Sequence, residues 1–234
     1  MTNDQRRTTL SEVSISRKEG MEREGHIHST AVLKTFIKEM TLLPKPLILD
    51  LGCICDSNIE LITHLGFKVF VKDFLNANVQ ALTNSSSIRE INVDELQIDF
   101  EYPENFFDGI FLWDVFDHFD FKEAWLIVDN AKRILKEKGW ALALFRPTNP
   151  TPFNTITRFR VVTSGDIKYE TLPLITPRYK IYYNRDVTDL FINFSSHTSY
   201  ILKNRWREVI ARSELAVNFN NSRKGCYNCS NGVK

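Results

Sequence analysis

The sequence predicts an α/β protein built on a Rossmann-like, doubly wound, mostly parallel sheet. Three observations predict it. The apolar run Leu47-Ile48-Leu49 ends in Asp50-Leu51-Gly52, a loop and the helical pattern Ile59 to Leu65 follow, Gly66 stops that helix, and a second apolar run, Phe67 to Val71, ends in Asp73. This is a βαβ unit with a carboxylate at the carboxyl end of each strand, where open α/β sheets bind ligands. Strand-like apolar runs then continue to alternate with helix-period segments down the chain, the pattern of a parallel sheet. The first strand is continuously apolar, as expected of a strand covered on both faces.

Residues 1–25 carry many charges and few apolar side chains and read as a mobile arm. From Ile27 the positions Ala31, Val32, Phe36, Ile37 and Met40 have helical spacing, and Pro44 and Pro46 end that helix. Strand one is Leu47 to Leu51 and strand two Lys68 to Val71. Residues 75–93 show no clear period, and Leu96 to Phe100 reads as a short third strand. Phe106 to Trp113 is a fourth strand. Lys122 to Lys138 has one apolar face, with Gly139 as its cap. Trp140 to Phe145 is a fifth strand. Beyond it, Arg158 to Thr163 and Asp166 to Glu170 flank Ser164-Gly165 as a hairpin. Arg185 to Phe194 reads as helix, and Thr198 to Leu202 with Trp206 to Ala211 as a closing antiparallel hairpin. The expected organisation is an arm (1–25), one domain (26–217) with an insertion (147–185), and a flexible tail (218–234).

Composition limits the function classes. A chain of 234 residues with 43% hydrophobic and 25% charged residues suits one globular domain. A net charge of +1 gives no global field toward nucleic acid or anionic lipid, so neither is expected as a partner. No apolar run approaches the roughly 18 residues of a membrane span. The N-terminus lacks the apolar stretch of a signal peptide, and the four cysteines form two close pairs, Cys53/Cys55 and Cys226/Cys229, not a disulfide framework. These features predict a cytoplasmic protein with reduced thiols. Cys226-x-x-Cys229 is half of a zinc site at most, and no metal is expected.

Taken together, four stretches resemble the class I S-adenosylmethionine (SAM)-dependent methyltransferases, over roughly Ile27 to Arg212. Leu49-Asp50-Leu51-Gly52 is similar to the family's first motif, Val71-Lys72-Asp73-Phe74 to its second, Gln97-Ile98-Asp99-Phe100 to its strand-three acid, and Phe107-Asp108 through His118-Phe119 to its strand-four signature. Leu135 to Trp140 is similar to the turn before strand five. The resemblance implies a seven-stranded sheet with a terminal antiparallel hairpin, SAM as cofactor, and methyl transfer to a small molecule. It implies that Asp50 organises the loop, that Asp73 beside Phe74 holds the ribose hydroxyls, and that Asp99 beside Phe100 accepts from the adenine amine. Gly52, Cys53, Ser57 and Asn58 would meet the methionine end, Trp113 would line the cofactor crevice, and His118 and Asp114 are the catalytic candidates. The sequence departs from the family where Ile54 and Asp56 stand in place of the second and third loop glycines. A β-branched residue is poor at positive φ, so the loop takes another path and the methionine end shifts toward Ser57 and Asn58, with Asp56 opposing its carboxylate. The rival readings are a binding or regulatory module on the same fold, and an RNA methyltransferase. The basic, aromatic stretch from Arg158 to Arg185 reads as a lid over the substrate side, with a homodimer arm as the alternative.

Overall fold

The computed structural model of the chain describes residues 27–74, 100–113, 115–146, 155–173 and 180–214. Its elements in order are β1 (Ile27–Ser29), α1 (Ala31–Thr41), β2 (Leu47–Asp50), α2 (Asp56–His64), β3 (Lys68–Val71), β4 (Phe107–Phe111), α3 (Phe121–Ile134), β5 (Leu135–Phe145), β6 (Thr155–Thr163), β7 (Asp166–Pro173), α4 (Asn184–Leu190), β8 (Ser196–Ile201) and β9 (Arg207–Arg212).

The described strands form a six-stranded sheet in the order β3-β2-β4-β5-β9-β8. Strands β3, β2, β4 and β5 are parallel neighbours, while β9 runs antiparallel to both β5 and β8. This is the expected doubly wound sheet with its closing hairpin. The expected third strand falls mostly on residues 75–99, outside the described residues.

Each face of the sheet buries its own apolar cluster. On one face α3 and α4 bring Ile127, Ile134 and Leu190 against Leu49, Ile110 and Val209. On the other, α1 and α2 bring Phe36, Met40 and Ile62 against Ile48, Phe111 and Leu142. The acid of the Phe107-Asp108 pair works at the amino ends of the strands, away from the acids at their carboxyl ends. Its carboxylate accepts from the Leu47 backbone N–H at 2.8 Å and from Lys136 Nζ at 2.9 and 3.0 Å, tying the starts of β2, β4 and β5 together.

Three expectations need correction. Ile27 does not open the first helix: Ile27–Ser29 pairs antiparallel with β7, and α1 starts after Thr30, whose hydroxyl caps it by accepting from the Leu33 N–H at 3.1 Å. The long helix does not reach Lys138. Leu135 already has extended angles (φ −74°, ψ 137°) and pairs with Phe107, so its apolar side chain is buried in a strand and not on a helix face. Gly139 is therefore no helix cap. Lys138 takes the positive φ (65°), and Gly139 is present for room, because a Cβ there would lie 2.9 Å from the Lys136 carbonyl. Third, the β6–β7 hairpin does not stand as two strands on its own. With β1 they make a three-stranded sheet, order β1-β7-β6, whose Phe159, Val161 and Ile167 are buried in the α1/α2 cluster.

Candidate active site

Asp50 ends β2 with its side chain 3% exposed. Its Oδ1 accepts from the Gly52 N–H at 2.9 Å and from Trp113 Nε1 at 2.7 Å. Burial pushes its carboxyl up from 3.8 to about 6. The two hydrogen bonds pull it down, and the nearby Asp73 charge adds a further upward push. Asp50 thus ties the turn at Gly52 to the Trp113 indole.

Trp113 leaves the end of β4 and lies between two other rings. Its centroid is 4.8 Å from Phe111 and 5.4 Å from Phe159, both nearly parallel to it. The ring also lies on Gly52, where a Cβ would come within 2.2 Å of Trp113 Cδ1. The glycine in the first motif therefore admits the indole. Trp113 is 2% exposed and sits in the core.

Asn58 is likewise committed. Its Nδ2 donates to the Phe159 carbonyl at 2.8 Å and its Oδ1 accepts from the Val161 N–H at 2.6 Å. One amide thereby imitates the backbone of a neighbouring strand and fastens α2 to the edge of β6. Cys55 is buried, with its Sγ 3.2 Å from Ser57 Oγ, and Cys53 is partly buried.

Asp73 follows β3 and is partly buried, close enough for its charge to act on Asp50. Phe74 and Phe100 are fully buried against each other at 5.5 Å, and Phe74 also meets Phe119 at 5.6 Å. They belong to the apolar cluster that α3 and α4 cover. His118 is 3% exposed in the short turn Val115–His118 that leads into α3. Asp99 and Asp114 lie outside the described residues, as do Cys226 and Cys229. Among the described residues, no group of three or more His, Cys, Asp or Glu could hold a metal ion, and no helix is long and apolar enough to cross a membrane.

The β6–β7 sheet contributes charged groups that site-by-site sequence reading missed. Arg158 donates to Glu170 Oε2 from Nη2 at 2.7 Å and from Nε at 3.2 Å, and Arg160 Nη2 lies 3.1 Å from Glu170 Oε1. A hollow of about 540 Å³ separates these arginines from Ile54, Asp56 and Glu60 at the start of α2. The signal was the alternation Arg158-Phe159-Arg160-Val161, which puts the two arginines on the face opposite the buried Phe159 and Val161.

A mostly parallel sheet with acids at the ends of two adjacent strands defines a class of protein before any comparison is made. Residues 49–143 match the family model described as a methyltransferase domain. Over these residues the chain is similar to a methyltransferase domain. Similar solved structures include a SAM-dependent methyltransferase from Methanosarcina mazei (16% identity, TM-score 0.44, 77% of this chain and 98% of that one). Another is a SAM-dependent methyltransferase from Archaeoglobus fulgidus (12%, 0.47, 77% and 93%). A third is the Burkholderia thailandensis 1,6-didemethyltoxoflavin-N1-methyltransferase, with 1,6-didemethyltoxoflavin and S-adenosylhomocysteine bound (12%, 0.45, 79% and 79%). No curated protein matches the chain.

Proposed function

We propose that this protein transfers the methyl group of SAM to a small-molecule acceptor. The observation that supports it is the pairing of β2 with β3 inside the stretch that matches a methyltransferase domain, which sets Asp50 opposite Val71 and brings Asp73, two residues on, close enough for its charge to act on Asp50. A ribose diol needs a carboxylate acceptor at such a position, and Asp73 is partly exposed while Asp50 is consumed by the loop. The donor set therefore fits SAM: Asp73 would accept from the ribose hydroxyls and Asp99 from the adenine amine. Gly52, Cys53 and Ser57 would border the methionine end, and Phe74 and Phe100 would back the site from below. When bound, SAM supplies a methyl group on an electrophilic sulfonium. Transfer to a soft or already deprotonated nucleophile asks the protein only for in-line positioning, and an acceptor that must lose a proton would draw on His118 or Asp114. The near-zero net charge favours a small acceptor over RNA.

One observation favours the second reading, a binding or regulatory module. Asp50 Oδ1 is occupied by Gly52 and Trp113, and the indole covers Gly52. Titration calorimetry with SAM and S-adenosylhomocysteine separates the two. The enzyme reading expects saturable heat with both, followed by transfer of labelled methyl to a component of a metabolite extract. Absence of heat at millimolar ligand would leave the module reading in place.

A further inference from the structure

We infer that Arg158 and Asp56 together hold the amino-acid end of SAM, the arginine taking its carboxylate and the aspartate its ammonium. The inference rests on the methyltransferase reading above and adds Arg158, which lies beyond the family match that stops at residue 143.

The loop after β2 has exchanged glycine for Ile54 and Asp56, so it offers side chains where a bare backbone would approach the ligand. Facing it across the hollow is β6, with Arg158 and Arg160. Arg158 reaches toward the loop itself. Its guanidinium is raised above its ordinary value first by the hydrogen bond to Glu170, against desolvation, then by the Glu170 charge and least by Cys55 and Cys53.

The charges on the two walls select the ligand. Arg158, Arg160 and Lys168 against Glu170 leave the β6–β7 wall positive, while Asp56 and Glu60 put two negative charges on the α2 wall. A simple anion drawn to the arginines is repelled by Asp56 and Glu60. A simple cation drawn to the acids meets the arginines. A group with both signs a few ångströms apart satisfies both walls, and the methionine end of SAM is such a group. On this inference Asp56 faces the ammonium and not the carboxylate.

The arrangement is also held in advance of binding. Glu170 fixes the Arg158 fork through two hydrogen bonds, and Asn58 and Trp113 fix β6 against α2 and β4. A charged partner already in place loses little freedom when the ligand arrives.

The test compares two ligands that share the adenosine half, S-adenosylhomocysteine and 5′-methylthioadenosine, which lacks the carboxylate and the ammonium. Arg158→Gln should weaken S-adenosylhomocysteine about tenfold or more, the usual weight of a charge-assisted hydrogen bond, and leave methylthioadenosine within about twofold. Asp56→Asn should show the same split to a smaller degree. Glu170→Gln breaks the same ion pair from the other side. Glu170→Gln keeps an amide oxygen to accept from the Arg158 fork and removes only the competing charge: if Arg158 serves only the fold, Glu170→Gln will imitate Arg158→Gln; if it serves the ligand, Glu170→Gln will hold or tighten S-adenosylhomocysteine. Equal losses for both ligands in Arg158→Gln, or no loss for either, overturn the inference while leaving the methyltransferase reading intact. Failure of the wild-type protein to bind either ligand overturns that reading and this inference with it.

Discussion

Asp50 and Asp73 stand at the ends of adjacent parallel strands, and in the sequence they look equivalent. In the folded protein they are not. Asp50 is sealed under Trp113 and the Gly52 turn, and its carboxyl is pushed up to about 6. Asp73 keeps part of its surface. One strand end has been converted into a structural joint between β2, β4 and the inserted sheet, while the other stays partly exposed. Position at a strand end gives a carboxylate the opportunity to bind; its neighbours decide whether it is spent on the fold instead.

The most severe way to break this contrast is Trp113→Ala. It empties the space between Phe111 and Phe159 and removes the indole donor from Asp50. A loss of about 3–5 kcal/mol is expected from aromatic truncation in a core, read as a lowered denaturant midpoint. A cost below about 1 kcal/mol would mean that the ring stack does not hold the joint.

Next in size is the titration of Asp50. Its folded value, about 6, lies above its ordinary 3.8, so the folded protein keeps a proton that the unfolded chain has released. The penalty is absent below pH 4, grows as pH rises toward 6 and is complete above it. Two units correspond to about 3 kcal/mol. Asp50→Asn retains an oxygen for Gly52 and Trp113 and carries no charge. It should raise stability at pH 7.5 by up to about 3 kcal/mol and flatten the profile between pH 4 and 6; an unchanged profile would place the titration elsewhere.

Asn58→Ala tests the fastening of the inserted sheet. It leaves the Phe159 carbonyl and Val161 N–H without their partner, at a cost of about 2 kcal/mol for unsatisfied buried groups. Hydrogen exchange should quicken in β6 and hardly change in β4. The gentlest change for stability is Asp73→Asn, an isosteric change at a partly exposed position, expected to shift unfolding by about 1 kcal/mol or less. Its effect belongs to the ligand, with S-adenosylhomocysteine weakened about tenfold or more. The reverse pattern, lost stability with unchanged affinity, would erase the contrast between the two acids.

Much of the fold was legible because its signals are local. The apolar run Leu47 to Leu49, the stop at Gly66 (φ 84°) and the face of α3 each declare themselves within a few residues. Errors arose where a distant partner overrode a local pattern. Leu135 continues a helical face, yet Phe107 recruits it into β5. Ile27 fits a helical period, yet Lys168 on β7 pairs with it. The site behaved in the same way. Asp50 and Asp73 were readable from strand ends, whereas the commitment of Asn58 and Trp113 to Phe159 depends on contacts that no short window contains.

Asn58 meets its partners Phe159 and Val161 across sequence separations of 101 and 103 residues. Closing so long a loop costs entropy before any contact repays it, and such contacts form late. During synthesis the βαβ unit around Asp50 leaves the ribosome about a hundred residues ahead of β6. At roughly 5–20 residues per second, the nascent chain therefore spends several seconds with the α1/α2 flank bare and the hollow without its arginine wall. Whatever the Asp73 end can recognise by then, the charge pattern that selects a zwitterion comes into being only with the second half of the chain.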